Sequence, residues 1–151
     1  MGRSHFVRVR RLVASWLVTA VFIGSGLVVG AFLQAPTEEG YGALMTEIRL
    51  TVGDADLHVD ARYWPELGED LDKLFPMAQQ VEAFWTARGN DGAVGFVQEM
   101  LAALKELSDA AIAQDRGAAR SGVVAVRATC QPCHEVHREE TADGYRIKPG
   151  S

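Results

Sequence analysis

Residues 65–85, PELGEDLDKLFPMAQQVEAFW, set Leu67, Leu71, Leu74, Ala78, Val81 and Trp85 in alternating steps of four and three. Such steps return to one side of a helix with about 3.6 residues per turn, which predicts an amphipathic helix with one buried stripe. Pro65 suits a first helical turn, where its missing N–H costs nothing, whereas Pro76 is expected to kink or locally break the helix. The same spacing recurs on both sides of this stretch. Tyr41, Leu44, Met45, Ile48 and Val52 form one stripe before it, and Val97, Met100, Leu101, Leu104, Leu107 and Ala111 form one after it. A last segment, from about Gln114 to Glu140, carries Ala118, Val123, Val126, Cys130, Cys133 and His137.

Connections are expected at Gly53–Tyr63, at Arg88-Gly89-Asn90-Asp91-Gly92 and near Asp115. The first holds three aspartates, a histidine and little apolar periodicity; the second has the glycines and Asn/Asp of a turn, with Asp91 placed to cap the third helix. Four amphipathic helices with short loops predict an all-α chain whose residues 41–140 fold as an antiparallel four-helix bundle. Residues 36–40 read as a linker, and 141–151 as a polar, irregular tail. No glycine-rich phosphate loop, serine-hydrolase elbow or internal repeat is present in the sequence.

The whole chain is 151 residues with a net charge of −5, which argues against a nucleic-acid binder. The charge is divided unevenly. Arg3, Arg8, Arg10 and Arg11 precede any acid, and the remaining residues sum to −9. Between these arginines and the acidic part lies Leu12–Ala35, LVASWLVTAVFIGSGLVVGAFLQA, without one charged residue. At about 1.5 Å per residue a helix of that length crosses a hydrocarbon core of about 30 Å. Arginines before it and Glu38 and Glu39 after it orient residues 1–11 to the cytoplasm and the rest outside. The alternative is a cleaved leader with a cut after Ala31, although its apolar run exceeds the usual about 7–15 residues. Gly26 and Gly30 form a G-x-x-x-G within the segment, a spacing that would let two such helices approach and form a homodimer.

The chemistry is concentrated in Cys130-Gln131-Pro132-Cys133-His134, a C-x-x-C-H. Cysteines three apart on a helix share a side, so each sulfur can bond one vinyl carbon of a haem. His134, four residues after Cys130, points the same way and can ligate the iron. A thioredoxin-like dithiol would need a βαβ context and a helix N-terminus, neither of which the sequence offers. A zinc site from Cys130, Cys133, His134 and His137 would crowd four ligands into eight residues, unlike the separated pairs of zinc domains. A disulfide between the two cysteines would close only a trivial loop. One covalently attached haem c with its iron is the expected cofactor, and export favours it, because haem c is attached outside the cytoplasm.

Only 17 residues follow His134 and none is methionine. A C-x-x-C-H at the end of the last of four helices, with the basic residue Arg138 four places after the histidine, resembles the class II cytochromes c, the cytochrome c′ kind. The resemblance covers about residues 40–140, and departs from the family in having His137 where an aromatic residue often precedes the arginine. It implies that the first helix supplies the group facing the iron's other side: a methionine in low-spin members, an apolar residue in five-coordinate ones. Met45 stands at that place, and a thioether there would favour reduced iron. Met77 and Met100 read as core residues, His58 as a solvated loop residue, and Trp64 and Trp85 as packing residues. His137 cannot reach the opposite face of the same haem and is expected at its edge or partly solvated. Arg138 is expected beside His134 or near a haem propionate.

These residues predict a non-enzymatic, membrane-anchored mono-haem electron carrier, held on the periplasmic side of a bacterial inner (cytoplasmic) membrane. Its partners would be membrane redox complexes with basic docking surfaces. The alternatives are a five-coordinate haem module binding NO or CO, and a haem subunit of a larger respiratory or photosynthetic complex.

Overall fold

A computed structural model describes residues 35–151. The basic segment and nearly all of the expected membrane anchor, including its G-x-x-x-G, lie outside the described residues. Among those described, no helix is long and apolar enough to cross a membrane.

Four helices make an antiparallel bundle: α1 (Glu38–Ala61), α2 (Trp64–Ala87), α3 (Asp91–Ile112) and α4 (Arg116–His137). Each packs on its sequence neighbour, and α4 closes the bundle against α1. The α2 stripe is as expected, with Leu67, Leu71, Leu74, Ala78, Val81 and Trp85 all buried, and Phe84 joining them. From the other helices come Val59, Leu104, Leu107, Val123 and Val126, each less than 2% exposed. Side chains of this kind, fully buried, contribute about 1.5–3 kcal/mol each. Met77 and Met100 are buried in the same core. On α4 the inward residue of the first turn is Ala119; the expected Ala118 is exposed.

The starts of α1, α3 and α4 are capped by side chains that accept from free N–H groups. Thr37 Oγ1 accepts from Gly40 N at 3.2 Å, so α1 begins inside the segment expected as a linker. Asn90 Oδ1, rather than Asp91, caps α3, accepting from Ala93 N at 2.9 Å. Asp115 caps α4 through Gly117 N and Ala118 N. Pro76 does not interrupt α2, which stays helical from Trp64 to Ala87.

The expected connection at Gly53–Tyr63 is instead helix. Thr51, Val52, Ala55 and Val59 continue the buried stripe of α1, and the chain turns only at Arg62 (φ 59°) and Tyr63. Small and β-branched residues form this part of the stripe, and the aspartates between them are its outer face. Asp56 pairs with Arg127 at 2.8 Å, and Asp60 with Arg120 at 3.0 Å and Arg116 at 3.1 Å, linking α1 to α4.

The tail is not irregular. Residues Arg138–Thr141 (β1) and Gly144–Ile147 (β2) form an antiparallel hairpin in which Arg138 pairs with Ile147 and Glu140 with Tyr145. The described residues are thus mostly helical, an antiparallel four-helix bundle to which a small C-terminal hairpin is added. Ala142-Asp143 makes the turn, Gly144 opens β2 at φ 130°, and Ile147 packs against the core.

Candidate functional site

The C-x-x-C-H occupies the last turns of α4, which remains helical through Pro132 to His137. Both cysteines are free thiols and half-buried. Cys130 Sγ reaches the Val126 carbonyl of its own helix at 3.7 Å. Burial raises the Cys130 pKa, with the Arg127 charge opposing the shift; burial and the neighbouring Cys130 push Cys133 up to about 11. At neutral pH both are thiols rather than thiolates. Their place at a helix C-terminus, the negative end of the helix dipole, is opposite to that of a dithiol redox centre.

His134 is half-buried, and burial followed by the Arg138 charge lowers its pKa. It therefore presents a neutral imidazole, the form that ligates a metal. It lines an open hollow of about 580 Å³ together with Arg127, Cys130, Arg138, Glu140 and Tyr145. That volume lies within the roughly 300–1,000 Å³ typical of ligand sites. Arg127, Cys130, His134 and Arg138 follow one another at steps of three and four along one face of the α4 end. Those steps were the signal that could have drawn Arg127 into the site. Glu140 and Tyr145 reach it only through the hairpin.

His137 takes a different environment. Its ring lies 5.0 Å from that of Trp85 and 6.3 Å from that of Phe96, and the residue is 8% exposed. Its Nδ1 is buried without a hydrogen-bond partner. Burial and the nearby Lys148 charge lower its pKa, keeping it neutral. It is thus part of the bundle interior rather than a solvated residue, while His134 belongs to the hollow. Among the described residues, no three His, Cys, Asp or Glu side chains converge as a metal-ion site, so the zinc arrangement of Cys130, Cys133, His134 and His137 is not assembled.

Cys133 and Met45 are not part of the hollow's wall. Cys133 lies near enough to Tyr41 of α1 that its charge, after burial, helps push the Tyr41 hydroxyl up to about 12. Met45, one turn further along α1, is half-buried against the core. Trp85 is a packing residue whose indole N–H donates to Tyr41 Oη at 3.0 Å; Trp64 packs at the core's edge. His58 is not solvated in a loop: it stands on α1 with Nδ1 2.7 Å from Oδ2 of the buried Asp70. Arg138 sits beside the hollow, its guanidinium 4.2 Å from the Tyr145 ring centroid.

The helix end offers donors of the kind that hold a haem, two free thiols and an imidazole at the next residue, beside an open hollow lined by polar and charged side chains that takes in Cys130 and His134 but not Cys133. The unpartnered Nδ1 of His137 marks a polar group next to this helix end that the protein alone does not satisfy. Comparison of the chain with family models, curated proteins and solved structures returns no match.

Proposed function

We propose that the protein is a membrane-anchored, mono-haem c-type cytochrome that carries single electrons on the periplasmic side of a bacterial inner membrane. The observation that carries this reading is the presentation of Cys130, Cys133 and His134 on the final turns of α4, with both thiols free and His134 on the wall of the hollow. Cys130 and Cys133 would hold the haem by thioether bonds, and His134 would be the proximal ligand. When bound, haem supplies a one-electron Fe(II)/Fe(III) couple. Arg138, in the same hollow, would place a positive charge beside the ligand. The bundle holds α4 rigid through its packing on α3, so little need rearrange when an electron arrives. The residues after the arginines of the N-terminus sum to −9, which suits a partner with a basic surface and gives an encounter rate that falls with salt. The N-terminal apolar segment would confine this search to the membrane surface.

A second reading keeps the haem but leaves the iron open to NO or CO, and the packing of Met45 against the bundle core favours it. The visible and near-infrared spectrum of membrane-purified protein tests the two. A ferric methionine–iron band that disappears in Met45→Ala supports the carrier. A high-spin spectrum with ready CO binding supports the gas-binding module and contradicts Met45 ligation.

A further inference from the structure

The C-terminal hairpin is polar in sequence yet docked to the one helix end that carries the haem motif. Strand alternation puts Arg138, Glu140, Tyr145 and Ile147 on one hairpin face, since Arg138 pairs with Ile147 and Glu140 with Tyr145. Ile147 packs against the core, while the other three line the hollow together with Cys130 and His134. Two contacts from Lys148, just after β2, tie the hairpin to α4, and one stack joins its own two strands. Lys148 N donates to the His137 carbonyl at 2.9 Å, Lys148 Nζ to the Glu135 carbonyl at 2.6 Å, and the Arg138 guanidinium stacks over Tyr145. Lys148 thereby satisfies carbonyls of the last α4 turn that the helix itself leaves open. Tyr145 is 64% exposed, a large ring that the core does not use. Its fixed neighbours are the Arg138 cation and the hollow.

We propose that the β1–β2 hairpin covers the His134 side of the haem site, with Tyr145 as the shielding residue and Arg138 as the positioning residue that holds its ring. This inference rests on the haem reading for its consequence, but the cover itself is a property of the protein chain. Excluding water near the iron disfavours the more highly charged ferric form, so the cover raises the reduction potential. Replacing Tyr145 alters the cover without altering the net charge, which separates shielding from the electrostatics of Arg138.

The test compares Tyr145→Ser and Tyr145→Phe in the full haem-loaded protein, with the potential as readout. In parallel, the modification rate of His134 by diethyl pyrocarbonate is measured by mass spectrometry in the full chain made without haem. Tyr145→Ser is expected to lower the potential and to speed modification of His134 several-fold; Tyr145→Phe, which keeps the ring, is expected to match the parent in both. Circular dichroism checks that helix content is retained. If the chain binds haem but Tyr145→Ser leaves both readouts unchanged, the cover is refuted and the cytochrome reading stands. If no haem is attached yet His134 modification still accelerates, the cover stands and the cytochrome reading falls.

Discussion

Gly122 of α4 lies so close to Leu107 of α3 that a methyl group added at position 122 would stand 3.0 Å from both the Cα and the Cβ of Leu107. The obstacle includes backbone, so it cannot swing aside. Gly122→Ala is therefore expected to destabilise the protein by about 1–3 kcal/mol, despite alanine's better helix propensity. Gly53 and Gly68 sit inside α1 and α2 with open space where a Cβ would go. Gly53→Ala and Gly68→Ala are expected to stabilise by roughly 0.5–1 kcal/mol each. Urea unfolding midpoints of the three variants check the opposite signs.

The Tyr41 hydroxyl accepts from Trp85 Nε1 across 44 residues of sequence, deep in the bundle. In Tyr41→Phe the ring stack on Phe84, with centroids 4.2 Å apart, is kept but the indole N–H is left without its acceptor. An unsatisfied buried donor costs about 1–3 kcal/mol, which thermal denaturation would register as a lowered midpoint. The Trp85 fluorescence of the folded variant should change as well.

Asp70 is a buried carboxylate that meets His58 at 2.7 Å, while Lys73 stands farther off at 3.9 Å. His58→Ala strands that carboxylate and is expected to cost roughly 1–3 kcal/mol. The double variant His58→Ala, Asp70→Leu should recover part of the loss, because no charge then remains buried. A double-mutant cycle in urea measures the difference.

Burial raises the pKa of both free thiols, that of Cys133 to about 11 from 9.0. A group with a raised folded pKa gives stability that is present below its unfolded value and lost as the pH climbs towards the folded one. With its thiols free, the fold should therefore weaken between about pH 9 and pH 11 through Cys133. Alkylation of the two cysteines by iodoacetamide should be slow at pH 7 and accelerate throughout the same interval. A fast reaction at pH 7 would contradict the assigned environment.

Much of the bundle was legible because its helices place leucine, valine and tryptophan at helical spacing, as in Leu67 through Trp85. The second half of α1 was hidden because Ala55 and Val59 carry its buried side while Asp54, Asp56 and Asp60 dominate its composition. Those aspartates look like a loop until the arginines of α4 that receive Asp56 and Asp60 are in place. The hairpin is masked by the polar composition of the tail, although Ala142-Asp143-Gly144 followed by Tyr145-Arg146-Ile147 is a turn-and-strand signal. The spacing of Cys130, Cys133 and His134 implies a shared helix, and all three lie on the last turns of α4. Arg127 was legible only once one face of α4 was followed back from His134. Glu140 and Tyr145 depend on tertiary docking, and no periodicity marks them. His58 was misplaced because its partner, Asp70, lies on the next helix.

In the proposed cytochrome, Cys130 and Cys133 would hold a haem covalently while His134 would ligate its iron. The most direct test of this attachment is the intact mass and pyridine haemochrome spectrum of the protein purified from membranes of a host able to attach haem c. The predicted result is a mass raised by one haem that survives denaturation, the spectrum of two thioether bonds, and no free thiol. The mass increase should vanish in Cys130→Ala, Cys133→Ala. A wild-type protein of unmodified mass, with two reactive thiols and no haem spectrum, would contradict the account.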